Sequence, residues 1–477
     1  MPVNVGTVSC SPPLYSTTHS PNLRALTVRT AATRIQECER EAFAVKTSRS
    51  RFCPKLSIRS FRGFRDILPP EIALWHKVES VTRELFELYG YAEIRTPVLE
   101  KIELFSRAVG EDTDIVQKEM YVITNEREGD MAMRPEGTAA VVRAYNEHKL
   151  YATNPVPEKL YYMLPMFRHE RPQAGRFRQF HQIGAEALGI DSPALDAEMI
   201  SIVSILLNTL GVENVEVQLN SVGCKVCRPV YRHTLKTYLA DSYHQLCPDC
   251  QNRFERNPMR ILDCKNEGCQ EIVKAAPVMI DHYCENCEAH FAEVQSMLTL
   301  LGVEYRIQPR MVRGLDYYAK TAFEFVSSSL GAQSAILGGG RYDGLSEDIG
   351  GKPLPGVGFA LGVERLISLL PAEGKRATPD VFIAVLGEAA RRPALLLQKE
   401  LRDAGIRTEL AYQQRSLKSQ MKHAGKMGAA YTILLGENEL EKGEVVLRNM
   451  TESSQENIAT TQLVSTLSSR MQGTTTQ

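Results

Sequence analysis

Phe167-Arg168-His169-Glu170-Arg171-Pro172-Gln173-Ala174-Gly175-Arg176-Phe177-Arg178-Gln179-Phe180-His181-Gln182-Ile183-Gly184-Ala185-Glu186 is the stretch whose reading decides the architecture of this chain. An alternating segment, Leu160–Arg168, enters a turn rich in Arg, Gln and Gly, and a second alternating segment, Phe177–Glu186, leaves it. Two runs with a period of two about a short polar turn predict a long antiparallel hairpin. Residues two apart on a strand share a face, so Gln182, Gly184 and Glu186 point one way, as do Met166 and Arg168 on the partner. Arginines at 168, 171, 176 and 178 crowd the turn. Guanidinium groups in a cleft grip phosphate oxygens through charge-assisted, often bidentate bonds. A surface hairpin with solvated charges is the plainer reading, and the number of arginines weighs against it.

A second stretch, Arg313-Gly314-Leu315-Asp316-Tyr317-Tyr318, sets another guanidinium beside two phenols. Arg134-Pro135-Glu136-Gly137-Thr138 puts a carboxylate and a hydroxyl on a turn, able to meet an ammonium group. Gly356-Val357-Gly358-Phe359-Ala360-Leu361-Gly362-Val363-Glu364-Arg365-Leu366 reads as a glycine-rich strand entering a helix, with Arg365 on its first turn. From there Arg365 can meet the γ-phosphate end of a bent nucleotide, although a lone helical arginine is usually just solvated. Gly338-Gly339-Gly340-Arg341-Tyr342-Asp343-Gly344 would let backbone approach a ligand closely. It lacks the strand–turn–helix context and downstream acid of a dinucleotide fingerprint, and the chain has neither GxxxxGK[ST] nor HExxH. Together these stretches point to phosphate chemistry on a small polar substrate.

Outward from the hairpin, 477 residues exceed the range of one hydrophobic core, so two or three domains are expected. Apolar content of 43% and charged content of 24% are ordinary for a globular protein, and the net charge of −1 excludes a uniformly basic nucleic-acid binder. No run approaches 18 apolar residues, so no membrane span is expected. Trp75, Val78, Leu85 and Phe86 recur at helical spacing up to Gly90, and Tyr91–Glu100 reads as a strand broken by Pro97. Met120–Thr124 and Met131–Arg134 read as strands about the turn Asn125–Asp130. Asp196–Leu210 reads as a helix, Thr321–Val326 and Ala335–Leu337 as strands. These elements predict an α+β catalytic domain over 59–375, with a mainly antiparallel sheet and a helical Cys-rich insert at about 224–300. After a boundary at Pro371–Pro379, a β-α-β-α-β alternation over 379–470 predicts a C-terminal α/β domain with parallel pairing, and 471–477 form a tail. Arg415, Lys418, Lys422 and Lys426 make a basic stripe there, either an RNA-facing surface or a solvated helix face.

Residues 1–58 differ in texture: rich in Ser, Thr and Arg, without Asp, and without an acid before Glu37. They suit a cleavable transit peptide addressed to a chloroplast or a mitochondrion (stroma or matrix), the alternative being a basic tail with no address. Of eleven cysteines, eight lie in the insert: Cys224 and Cys227, Cys247 and Cys250, Cys264 and Cys269, Cys284 and Cys287. Three CxxC pairs and one CxxxxC pair could form four-thiolate Zn²⁺ sites in a reducing compartment; otherwise they are small, partly buried thiols.

These residues resemble the class II aminoacyl-tRNA synthetases, and within them the histidyl-tRNA synthetase family. Gly90–Glu100 looks like the dimer-forming first class motif, the hairpin like the second and Gly356–Leu366 like the third. Arg134–Thr138, the hairpin string and Leu315–Tyr318 carry the histidine-specific likeness, which runs from about Gly63 to Leu463. It implies that the carboxylate of L-histidine attacks the α-phosphate of ATP, with Mg²⁺ on the outer phosphates, and that the terminal ribose hydroxyl of tRNA(His) then attacks the adenylate. By the same likeness Arg168 and Arg313 are catalytic and bind the α-phosphate, and Arg365 holds ATP. Glu136, Gly137, Thr138 and Gln182 hold the histidine ammonium, and Glu186 with Tyr317 and Tyr318 reads the imidazole. Arg171, Gln173 and Arg176 face the tRNA acceptor end, the C-terminal domain faces the anticodon, and the chain forms a homodimer. An inactive synthetase-like regulatory subunit of histidine biosynthesis is the alternative. Such a subunit would be expected to lose the arginines or the C-terminal domain, and this chain keeps both.

Overall fold

The computed structural model describes residues 58–124, 129–154, 156–173, 175–331, 335–371 and 378–472. Every element below lies in the unit Ser60–Gln477. Residues 1–57 of the leader, 125–128 of the expected turn, Ala174 of the hairpin turn, 372–377 of the expected domain boundary and most of the tail fall outside the described residues.

Helix Ile72–Leu88 buries Trp75, Val78, Thr82 and Phe86, the face that the three-and-four spacing predicts. The chain turns at Gly90, whose φ of +77° suits a residue without Cβ. The next segment is two strands in two sheets, not the single broken strand expected from the sequence. Strand β1 (Ala92–Glu93) lies at one edge of the main sheet, while β2 (Leu99–Lys101) joins β3 (Tyr121–Ile123) and β4 (Met131–Met133) in a small antiparallel sheet of order β2-β4-β3. Pro97 sits at the crossing, where its missing N–H costs no ladder bond.

The main sheet adds β5 (Glu158–Phe167), β6 (Gln179–Leu188), β7 (Val215–Ser221), β8 (Arg306–Ile307), β9 (Ala319–Ser327), β10 (Ala335–Arg341) and β11 (Gly356–Gly362). Its order is β1-β5-β6-β11-β10-β9-β7-β8, with parallel pairing only for β1–β5 and β7–β8. The hairpin is continuous from Phe167↔Gln179 to Glu158↔Leu188, and β11 flanks β6 from the other side. Period-two alternation divides the two strands between two cores. Ile183, Ala185 and Ala187 pack with Phe86, Ile200, Leu206 and Phe291. Leu160, Tyr162, Leu164 and Met166 face the opposite side with Tyr317, Tyr318 and Tyr342. The even-numbered residues of β6 therefore share the second side, as the sequence pattern requires.

Helices Pro193–Leu210 and Glu285–Leu300 cover the first face. The former is long and apolar enough to cross a membrane by length and composition, yet 61% of that window is buried in the protein interior. Beneath the sheet Arg341 and Asp196, both fully buried, form an ion pair at 2.8 Å, and Asp196 also bonds His290 at 2.8 Å and Thr321. That network ties β9 and β10 to both helices; removing one partner would strand a buried charge, at a cost of about 3–5 kcal/mol.

Between β7 and helix Glu285–Leu300 the chain forms the expected helical insert, with helices Cys227–Ala240, Pro248–Arg256 and Glu267–Val273 around a core of its own. The last helix of the expected span contributes Phe291, Val294 and Leu298 to the main core, so the insert proper closes near Cys287.

Downstream, β12 (Val381–Val385), β13 (Thr408–Leu410) and β14 (Tyr431–Leu435) pair in parallel as anticipated, with helices Arg391–Asp403 and Leu417–Met427 between them. An antiparallel pair, β15 (Glu444–Asn449) and β16 (Gln455–Ala459), and helix Thr460–Gln472 extend the order to β13-β12-β14-β15-β16. The sequence reading missed this extension, because the exposed residues of β16, Gln455, Glu456 and Asn457, give it little apolar signal.

Candidate active site

The second face of the sheet borders a cavity of about 260 Å³ lined by residues from all five stretches picked out above. A larger groove of about 880 Å³ lies elsewhere, against Pro97, Leu104, Arg143 and Ile349, and carries none of that chemistry.

Strand β5 ends just before Arg168. The Arg168 Nε donates to the Pro135 carbonyl at 2.8 Å, and its guanidinium lies 5.2 Å from the Phe180 ring centroid. Two anchors thus aim one fork into the cavity. Arg313 enters from the opposite wall, paired with Glu324 and packed 5.1 Å over the Tyr318 ring. Gly338 makes its seat: a Cβ there would lie 2.0 Å from Arg313 Nη2. Burial pulls the Arg313 pKa down, but Glu324 together with Tyr318 and Tyr317 raises it by more, so the guanidinium is held charged. The Nε of Arg313 is buried without a partner. Arg365, on the first turn of helix Val363–Leu369, donates to the Ala335 carbonyl at 2.5 Å. Its pKa is lowered by burial and by Arg176 and Arg168 nearby, the mark of a concentrated positive field that an anion would relieve.

On the hairpin turn, Arg176 pairs with Glu170 at 3.0 Å, and both line the cavity. Gln173 and Arg176 bridge each other through backbone bonds, closing the turn, while Arg171 and Gln173 are exposed. The loop therefore divides, with Arg176 facing inward and Arg171 and Gln173 outward.

The polar wall is less uniform than the sequence suggested. Gln182, Thr138, Tyr317 and Tyr318 border the cavity, and Gln182 Oε1 is buried with no partner. An orphaned buried acceptor of that kind is a place for a ligand donor. The Glu136 carboxylate also borders the cavity but accepts the N–H groups of Thr138 at 2.7 Å and Ala139 at 3.0 Å, capping helix Thr138–Glu147. Its pKa is raised by burial. Gly137 sits outside the lining, where a Cβ would strike the Tyr162 ring at 2.3 Å. Glu186, expected to touch the ligand directly, lies fully buried behind the wall. It accepts Thr138 Oγ1 at 2.7 Å and the Tyr342 hydroxyl. Burial pushes its pKa up to about 8, so near neutrality this carboxyl is largely protonated.

Three participants escaped the sequence reading as site residues. Tyr342 holds Glu186, Glu324 holds Arg313, and Glu364 accepts the His181 N–H at 3.0 Å and its ring Nδ1 at 2.9 Å. Tyr342 and Glu364 are remote in the chain from Glu186 and His181, and the β10–β11–β6 pairing brings them together, whereas Glu324 on β9 is only 11 residues from Arg313.

Two family models match this chain: histidyl-tRNA synthetase over residues 63–366 and an anticodon-binding domain over 380–470. A histidine–tRNA ligase of Syntrophotalea carbinolica is 50% identical over 405 residues, covering 85% of this chain and 96% of that protein. The corresponding ligase of Halothermothrix orenii is 49% identical over 413 residues, covering 86% and 98%. Among solved structures, apo histidyl-tRNA synthetase of S. aureus superposes with a TM-score of 0.73 at 36% identity, over 86% of this chain and all of that one. The sheet order, the cavity built on the β5–β6 hairpin and these matches agree: the fold is that of class II synthetases, and the chain belongs to the histidyl-tRNA synthetase family.

Proposed function

We propose that this chain ligates L-histidine to tRNA(His) using ATP, through a histidyl-adenylate. The observation that carries this reading is the meeting of Arg168, Arg313 and Arg365 with Gln182, Thr138, Tyr317 and Tyr318 around one cavity. Three guanidiniums suit a triphosphate; an orphan amide oxygen, a hydroxyl and two phenols suit an amino acid with a polar ring.

Arg168 and Arg313 flank the position of the α-phosphate. As the histidine carboxylate attacks, charge grows on the phosphorane oxygens and pyrophosphate departs. Fixed guanidiniums stabilise that charge without reorganising. The phosphate competes with Glu324 for Arg313, and the unpartnered Nε is the free arm of the fork. Arg365 receives the outer phosphates. Mg²⁺ enters with ATP as part of the substrate; Glu170 and Glu324 supply carboxylate oxygens at the cavity, the ligand type that a hard cation takes. Gln182, Thr138 and Glu136 hold the α-ammonium, and Gly137 gives the wall its close packing. The imidazole meets Tyr317 and Tyr318, and Glu186 acts from behind by orienting Thr138 and Tyr342. A wall whose polar groups need partners rejects apolar amino acids strongly.

Residues 59–375 then form the catalytic domain and 379–470 the anticodon-binding domain. Arg171, Gln173 and Arg176 serve the acceptor end, and the exposed stripe Arg415, Lys418, Lys422 and Lys426 serves the RNA. A second copy of the chain covers the small sheet, where Val98, Leu99, Val122 and Ile123 are 38–46% exposed beside the larger groove. Residues 1–58 address the enzyme to a chloroplast or mitochondrion; their acid-poor composition and their position ahead of the family match at residue 63 support this. Histidine-dependent ATP–pyrophosphate exchange, followed by charging of tRNA(His), tests the reading. Exchange independent of histidine would end it.

A further inference from the structure

The cysteines of the insert fall into two sets that the sequence could not pair. Cys224 and Cys227 meet Cys284 and Cys287; Cys247 and Cys250 meet Cys264 and Cys269. Within each set all four sulfurs lie within 4.8 Å of one another. Cys224 is 3.6 Å from Cys227 and 3.8 Å from Cys284, and Cys247 is 3.8 Å from Cys264. A disulfide requires about 2.05 Å. A tetrahedron built on Zn–S bonds of about 2.3 Å has an edge of about 3.8 Å.

The surroundings suit thiolates. Backbone N–H groups point at sulfur: Val226 at Cys224 (3.3 Å), Cys284 at Cys227 (3.2 Å), Cys247 at Cys269 (3.2 Å) and Asn266 at Cys264 (3.4 Å). Such bonds orient metal-bound sulfur and spread its charge. The insert's apolar core is small. Of the thirteen buried residues in its core, five are cysteines. A core below about 70 residues rarely supplies more than about 3–5 kcal/mol, and small folds commonly add a metal or covalent staple.

We infer that the insert holds two structural zinc ions, each bound by four thiolates, and that they do different work. Cys224 and Cys284 are 60 residues apart, so the first site ties the departing end of the insert to its returning end, beside Val222 and Ser221 of the sheet. The second site brackets residues 250–264, and this bracketed segment braces the loop that carries Arg313. Asn257 donates to Asp316 at 2.8 Å, Arg260 donates to the Arg313 carbonyl at 3.1 Å, and Arg253 pairs with Asp114 at 2.9 Å. The second zinc is thus a positioning element for Arg313–Tyr318, a role that rests on the functional reading above; the two metal sites themselves do not. Soft four-sulfur ligation selects zinc or iron, and sulfurs this close enclose a single ion, leaving no room for a four-iron cluster.

Elemental analysis of the purified full chain tests the sites regardless of activity. The expected result is two zinc per chain, falling to one in Cys250→Ser and to one in Cys287→Ser. Exchange of the wild-type protein with Co²⁺ is expected to give intense sulfur-to-cobalt charge-transfer absorption, which reads the ligand set without a substitution that could unfold the insert. Less than one zinc per chain, iron in its place, or cobalt spectra without thiolate bands would overturn the assignment. For the positioning role, Cys250→Ser is expected to lower kcat, through Arg313, and to raise the KM for histidine about tenfold. Asn257→Ala, which leaves both metals bound, is expected to shift the same constant in the same direction. An unchanged histidine KM in both variants would remove that role while leaving the zinc sites standing; two zinc in a protein without histidine-dependent exchange would do the reverse to the catalytic reading.

Discussion

The cavity wall and the insert lie side by side and are held by opposite means. The wall stands on an eight-stranded sheet backed by a large apolar core, and its charged groups are fixed by ion pairs and caps: Arg313 by Glu324, Arg176 by Glu170, Glu136 by two backbone amides. Desolvation of these three groups is offset by their partners, and the site stays rigid for electrostatic work. The insert has a thin core rich in cysteine and depends on sulfur convergence. Where hydrophobic burial is plentiful, polar residues are released for chemistry. Where it is scarce, reactive side chains are committed to holding the fold.

The largest effect separating the two regions is expected at Arg313. Arg313→Ala should lower single-turnover adenylate formation by at least about 10³-fold while histidine still binds, since it deletes a fixed charge at the reacting phosphate. A near-normal rate would remove the role assigned to it.

Next is the pH response of the wall. The Glu186 carboxyl sits at about 8 when folded against an ordinary 4.5, with burial as the main cause. The folded protein therefore keeps a proton that the unfolded chain releases. This contribution is greatest at low pH and is lost as pH rises from about 4.5 through about 8, at up to about 1.4 kcal/mol per pH unit. Glu186→Gln keeps a donor and an acceptor between Thr138 and Tyr342, so its denaturation midpoint should vary less steeply over that range. An identical pH slope in the two proteins would contradict the placement of the proton.

Chelation should then divide the regions. A strong chelator is expected to raise protease cleavage within 224–287 about tenfold, leaving the sheet protected. Uniform sensitivity would show that the insert is not the metal-dependent part. The smallest effect belongs to the exposed side of the hairpin loop. Arg171→Ala should slow transfer to tRNA only a few-fold, about as one lost phosphate contact would, and lessen its salt dependence, with pyrophosphate exchange unchanged. A loss in exchange would move Arg171 into the cavity.

Much of this was legible in the sequence, because period and spacing are local. The hairpin, the helix after Gly362 that carries Arg365, and the β-α-β-α-β order of the C-terminal domain all follow from residues adjacent in the chain. What escaped depends on partners that are distant in sequence. Glu186 meets Tyr342 across 156 positions, and it stands behind the wall because Thr138 occupies the space in front. CxxC spacing announced metal-type pairs but could not say that 224 and 227 join 284 and 287 around the other set. The split of Tyr91–Glu100 between two sheets was likewise hidden, since a proline marks where a strand ends and not where the chain goes next.

ATP–pyrophosphate exchange by the purified full chain, run separately with histidine and with each other standard amino acid, tests the central claim most directly. The account predicts exchange that requires histidine and is lost with Arg313→Ala. Comparable exchange with other amino acids, or none with histidine from a folded and metal-replete protein, would contradict it.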